Sequence, residues 1–162
     1  MRAFLAFLLA IVIHEGGHIA MAYACGVPVR RLRVGAFGFR LTMDYSAVPY
    51  GRELLVLLAG GGAGLAAAWF SGLCGWHDAM LCNLALSGCN LLPVRGLDGG
   101  AALEVLLSAR FLPDTACRIA RFFSFVTVVV LWLAVVWICL RVRVNFGLLC
   151  TALWFLFGHM KC

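Results

Sequence analysis

The sequence predicts an all-α polytopic membrane protein, with about five or six transmembrane or interfacial helices and a small membrane-associated β-hairpin between the first two. Three observations predict it. Of 162 residues, 64% are hydrophobic and 12% charged, against about 45–50% and about 25% in an ordinary soluble domain, and the mean hydropathy is +1.01. The hydrophobic residues gather in long blocks, and at roughly 20 residues per crossing the length accommodates those helices, short connections and no appended soluble domain. One segment between blocks switches to a two-residue period. The same composition excludes a disordered chain, which needs low hydrophobicity. A nucleic-acid partner is excluded as well, because the +6 charge comes from 12 Arg and one Lys strung between apolar blocks rather than clustered on one face.

The first helix, residues 3–24, stops at Cys25-Gly26-Val27-Pro28, where Gly and Pro end a helix. Its apolar run holds His14, Glu15 and His18 and lacks a signal-peptide cleavage pattern, so it is expected to be retained. Residues 27–50 carry the hairpin. Phe37, Phe39, Leu41, Met43 and Tyr45 alternate with Gly38, Arg40, Thr42 and Asp44, the repeat of a strand, with residues 29–34 as its partner and Gly35-Ala36 as the turn. An open sheet edge is excluded from lipid, so the hairpin must face protein, water or a bound partner. Further helices are expected at 54–73, at 79–92 ahead of Pro93, and at 97–112, beginning with Leu97-Asp98-Gly99-Gly100 and partly interfacial. A spanning helix at 122–140 and a short last one at 144–157 complete a single membrane-embedded domain of residues 1–162.

Arginine placement sets the expected orientation. The segment 26–53 holds Arg30, Arg31, Arg33, Arg40 and Arg52 against Asp44 and Glu53, whereas residues 72–78 hold no Arg or Lys, which puts the hairpin in the cytoplasm and the N-terminus outside. Arg110, Arg118 and Arg121 place a connection at 110–121 on the cytoplasmic side too, while Arg141 and Arg143 fall on the opposite side. The eight cysteines form no CxxC pair and lie mostly in apolar runs, where Cys packs as a small hydrophobe. Trp69, Trp76, Trp132, Trp137 and Trp154 fit interfacial anchoring. His77 and Asp78 fit a solvated loop, and His159 an interfacial terminus.

Chemistry concentrates at His14-Glu15-Gly16-Gly17-His18, an HExxH pattern inside the first apolar helix. Two His four apart share one helical face with Cβ atoms about 5–6 Å apart, a spacing that lets both imidazoles reach one Zn²⁺. Glu15, one residue round the helix, can act on the water without being a ligand. Chance plus snorkelling is the bland alternative. Against it, ionisable groups at mid-bilayer cost at least about 2.5–3.5 kcal/mol each, and Gly16 and Gly17 add roughly 0.8–1.0 kcal/mol each relative to Ala; both glycines are expected to let another helix or a substrate approach closely.

Catalytic zinc usually has three protein ligands and one open position, so a third ligand is expected among Asp44, Glu53, Asp78, Asp98, Glu104, Asp114, His77 and His159. Asp98 stands out. Pro93 opens the helix before it, Gly96, Gly99 and Gly100 permit turns forbidden to other residues, and irregular backbone at membrane depth must line an enclosed or wet cavity. Capping of the following helix is the alternative for Asp98. Asn90 has two readings, satisfying backbone freed near Pro93 or holding a substrate main chain or oxyanion.

His14-Glu15-xx-His18 together with Asn90-xx-Pro93-xxx-Leu97-Asp98-Gly99 resembles the site-2 protease family of intramembrane zinc metalloproteases, especially the short bacterial members that process a sporulation sigma-factor precursor. The resemblance extends from the first helix to about residue 106 and includes the hairpin. It implies that His14, His18 and Asp98 bind one Zn²⁺ per chain, that Glu15 is the catalytic acid/base and that Asn90 assists substrate binding. One departure stands out: where the family often has Gly-Pro-xx-Asn, this chain reads Ala59-Gly60-Gly61-Gly62-Ala63-Gly64. A nucleotide-sensing C-terminal domain, present in some sporulation-type members, is not expected within these 162 residues.

The expected function is therefore an intramembrane zinc metalloendopeptidase of the bacterial cell membrane, multi-pass, with its active site toward the cytoplasm. Its partners would be the lipid bilayer and a membrane-spanning or membrane-associated protein substrate, such as a sigma-factor precursor or anti-sigma factor, received along the strand containing Phe39 and Leu41. A regulatory membrane partner and homo-oligomers are compatible with this reading. The alternative from another class is a catalytically silent zinc-binding scaffold or chaperone of the same fold, and a metal transporter is a third.

Overall fold

The structure, a computed structural model, describes residues 1–35, 38–43 and 48–141, with residues 29–35, 38–43 and 139–140 described by backbone alone. Among them are five helices, α1 (Arg2–Ala24), α2 (Tyr50–Leu73), α3 (His77–Asn90), α4 (Asp98–Ser108) and α5 (Pro113–Arg141). Two strands, β1 (Val29–Gly35) and β2 (Gly38–Met43), lie between α1 and α2 and run antiparallel, with Leu32 opposite Leu41 and Val34 opposite Phe39. The connection that would close them into the expected hairpin, residues 36–37, lies outside the described residues. So does the helix expected at 144–157, with Trp154 and His159.

Several boundaries differ from expectation: α2 starts at Tyr50 rather than 54, and α3 spans His77–Asn90 rather than 79–92, so His77 and Asp78 open a helix instead of lying in a loop. Residues 113–121, expected as part of a connection, are the first turns of α5. Proline at the first helical position loses no hydrogen bond and has its φ preset, and Asp114 in the first turn meets the positive end of the helix dipole. α4 ends at Ser108, earlier than the expected 112.

α1, α2 and the Pro113–Ile138 part of α5 are long and apolar enough to cross a membrane. α3, with 14 residues, extends about 21 Å at 1.5 Å per residue, short of the roughly 30 Å hydrocarbon core. Phe4, Leu9 and Val12 on α1 and Phe122, Phe125 and Val130 on α5 are exposed, an apolar exterior suited to lipid.

Helix ends and small residues set the packing. α1 closes with Gly26 at a positive φ of 69°, which allows the Val27 N–H to reach back to the Ala22 carbonyl at 2.8 Å and the Gly26 N–H to that of Tyr23 at 3.1 Å. Val27 then packs with Ala22 and Val56, so the turn that ends α1 also docks it on α2. Contacts of His18 with Val56 and Gly60, and of Gly17 with Ala59 and Ala63, make α1 and α2 antiparallel. Gly72 meets Met80, Gly64 meets Ser87 and Gly61 meets Leu91, so α3 runs against α2 and alongside α1. Without a hydrophobic force between helices in lipid, close approach of small residues is what binds them. Buried Ala10, Ala22, Gly60, Gly64, Ala68, Ala102, Ala116 and Ala120 supply it.

The adjacent glycines of α1 are not equivalent: helix approach is seen at Gly17 and not at Gly16. A Cβ on Gly17 would lie 2.7 Å from the Ala59 carbonyl oxygen and from Ala63 Cβ, whereas one on Gly16 meets nothing within 4 Å. Gly17→Ala is expected to destabilise the fold by about 1–3 kcal/mol through overpacking, and Gly16→Ala to stabilise α1 by about 0.8–1.0 kcal/mol. Unfolding of both variants in detergent checks this, and equal stabilities would contradict the α1–α2 packing.

Candidate functional site

The α1 helix presents Ala10, His14, His18 and Ala22 as one buried stripe, each a turn from the next. His14 and His18 are 4% and 7% exposed, and their rings meet edge to face with centroids 4.9 Å apart. Glu15 follows His14 and is half-buried.

The third group arrives from far along the chain. α3 ends at Asn90, and residues 91–97 form an irregular turn ahead of α4. Gly96 sits at a φ of 93°, a conformation that side-chain-bearing residues rarely adopt. Gly99 and Gly100 serve a different purpose from the one expected of them. Both are helical, and they are small because a Cβ on Gly99 would meet the Leu91 carbonyl and one on Gly100 the Val94 carbonyl. The start of α4 therefore crosses directly over the end of α3. Val94 is buried at 1% exposure, and the Arg95 N–H donates to Ser124 Oγ at 3.0 Å, which ties the turn to α5. Asp98, the first residue of α4, makes no capping bond; it points to the two histidines, 84 and 80 positions away in sequence.

Asp98 Oδ2 lies 3.0 Å from His14 Nε2 and 3.1 Å from His18 Nε2, and the two Nε2 atoms are 3.3 Å apart. With both imidazoles neutral, this triangle is short of protons. The Val56 carbonyl accepts from His18 Nδ1 at 2.7 Å, which assigns the proton of neutral His18 to Nδ1 and leaves a lone pair on Nε2. That lone pair faces a carboxylate and a second imidazole nitrogen, so the single remaining proton of neutral His14 is shared among converging acceptors. A cation suits all three donors. Two imidazoles and a carboxylate are a zinc-type set, and donors about 2.0–2.1 Å from a tetrahedral Zn²⁺ stand roughly 3.3–3.4 Å apart, close to the observed edges. Among the described residues this is the group of His, Cys, Asp and Glu that could hold a metal. Other third-ligand candidates, Glu53, Asp78, Glu104, Asp114 and His77, are not in it, while Asp44 and His159 lie outside the described residues.

Two contacts had no signal as site residues in the sequence. The Val56 carbonyl is backbone, invisible to any residue pattern. Gly60 lies against the His18 ring itself, where a Cβ would sit 2.2 Å from Nε2; the glycine run marked close helix contact but not this partner. Asn90 donates through Nδ2 to the Leu86 carbonyl one turn back on α3 at 3.1 Å, so in this state its amide serves its own helix. For Phe39 and Leu41 the backbone lies in β2, and their side chains lie outside the described residues.

No family model matches the sequence, and no curated protein matches it. Among solved structures, the chain is similar to the Site-2 Protease from Methanocaldococcus jannaschii, with a TM-score of 0.70 and 24% identity over 99% of this chain and 76% of that one. This chain has the site-2 protease fold. In that fold the small-residue contacts of α1, α2 and α3 bring the His14–His18 stripe under the Asp98 turn.

Removal of Asp98 is expected to empty this centre. If these three donors hold a metal, purified Asp98→Ala should bind less zinc than the parent, as read by elemental analysis. Full zinc retention by Asp98→Ala would remove the carboxylate from the ligand set.

Proposed function

We propose that this chain is an intramembrane zinc endopeptidase that cuts a membrane-spanning or membrane-associated protein near the cytoplasmic face of a bacterial cell membrane. The observation that carries the reading is the meeting of His14 Nε2, His18 Nε2 and Asp98 Oδ2 within 3.0–3.3 Å of one another, beside Glu15, in a helix whose outer face is apolar. The fold shared with a site-2 protease supports it.

His14, His18 and Asp98 would hold Zn²⁺, leaving an open position for water and substrate. When bound, the ion supplies Lewis acidity, polarising a carbonyl and bringing the pKa of water down toward about 7. Glu15 takes the proton from the attacking water and returns it to the leaving nitrogen. A helical substrate has its scissile carbonyl tied in a hydrogen bond and must unwind before attack. The strand holding Phe39 and Leu41 would receive the unwound segment by strand addition, and Asn90 would exchange its bond to Leu86 for one to the substrate main chain. A sigma-factor precursor or an anti-sigma factor is the class of substrate this reading favours.

Glu15→Gln is expected to abolish cleavage of a full-length membrane substrate while keeping zinc, since Gln cannot shuttle the proton. Cleavage at the parental rate would exclude the peptidase chemistry, and a cellular role indifferent to Glu15→Gln would favour a zinc-binding scaffold. Leu41→Pro removes a ladder N–H from β2 and should slow cleavage at unchanged zinc content; an unaltered turnover number for the same substrate would count against strand addition.

A further inference from the structure

The metal reading uses one nitrogen of each imidazole, and the second nitrogens fare differently. His18 Nδ1 donates to the Val56 carbonyl at 2.7 Å. His14 Nδ1 is buried with no hydrogen-bond partner among the described residues. With Nε2 kept as a lone pair for a cation, the proton of neutral His14 sits on Nδ1, and a buried N–H without an acceptor is costly.

Two more buried polar atoms share that condition, Asn83 Oδ1 and Ser87 Oγ. They stand one turn apart on α3, in residues 2% and 0% exposed. Asn83 has committed its Nδ2 to the Ala79 carbonyl at 2.8 Å, which leaves Oδ1 as a pure acceptor. The helix contacts put Ser87 at the level of His14, with Asn83 one turn further along α3. His18 packs on Gly60, whose neighbour Gly61 packs on Leu91. One turn away, His14 precedes His18, Gly64 follows Gly60 and Ser87 precedes Leu91. Gly64 receives Ser87 so closely that a Cβ there would lie 2.1 Å from Oγ. The buried stripes of the three helices, His14 on α1, Gly64 on α2 and Asn83 with Ser87 on α3, thus face one interior, because α1, α2 and α3 all pack on one another.

We propose that Ser87 and Asn83 are positioning residues for His14, holding its Nδ1–H through one buried water. The water accepts from His14 Nδ1–H and gives its two protons to Asn83 Oδ1 and Ser87 Oγ, three partners, as buried waters typically have. This link fixes the tautomer and ring angle with which Nε2 meets the metal, as the Val56 carbonyl does for His18. The proposal rests on the zinc reading above.

The test uses the full-length chain in detergent, with zinc affinity measured by competition against a chromogenic chelator and the melting temperature of the zinc-free protein measured alongside. Ser87→Ala, Asn83→Ala and His14→Ala are compared with Ser71→Ala, which removes a buried hydroxyl of α2 outside this cluster. Ser87→Ala and Asn83→Ala are each expected to weaken zinc binding about 10–100-fold, while the zinc-free Ser87→Ala protein melts within a few degrees of Ser71→Ala. Zinc affinity within about twofold of the parent in both variants overturns the proposal, and so does an equal loss in Ser71→Ala. His14→Ala separates the two levels of failure. Parental zinc binding by His14→Ala would sink the metal reading itself, whereas loss of zinc there with none in Ser87→Ala sinks only the positioning role.

Discussion

Three electron-rich atoms crowded together where α1 meets the start of α4 are the constraint on which the rest of this molecule depends. Two imidazole nitrogens and a carboxylate oxygen at 3.0–3.3 Å repel one another unless something positive sits among them, and low dielectric makes that repulsion large. The helices are arranged to hold the crowd together. Gly60 lets α2 pass against the His18 ring, Gly17 lets α1 settle on Ala59 and Ala63, and Gly99 and Gly100 let α4 begin on top of the end of α3. Each is a place where a single methyl group would push a ligand-bearing element outward.

The same economy explains why the core is built of alanine, glycine and serine while the large apolar side chains point outward. A soluble protein buries its leucines to escape water. Here the outward surface has lipid to meet, so burial of bulk brings little, and close backbone approach brings van der Waals contact and room for polar groups. Polar residues in such an interior are expensive, and those present are therefore informative. His14, His18 and Asp98 converge on one point, and Asn83 and Ser87 are buried on α3.

Legibility in the sequence followed the range of the interaction. The helical repeat fixes where residues i and i+4 point, so His14 and His18 could be placed on one face with no tertiary information, and Glu15 beside them. Asp98 was legible as a candidate because Pro93 and the glycines mark a break in an apolar chain. Its alternative, helix capping, could be set aside only by seeing where the carboxylate points. The start of α5 was misplaced because apolar pattern outweighed the Pro113-Asp114 start signal. Gly16 and Gly17 look identical in sequence and differ only in what stands opposite.

The sequence by itself determined the solvent, the apolar helices and the chemistry on α1, because composition and a 3.6-residue period are local properties that survive without a partner. The tertiary structure alone decided that Asp98 reaches both rings across 84 and 80 positions, that a Val56 carbonyl sets the His18 tautomer, and that Gly60 is the surface on which that ring rests. Backbone carbonyls and missing side chains leave no mark in a residue pattern. Their effect exists only once helices from distant parts of the chain have been brought within contact distance.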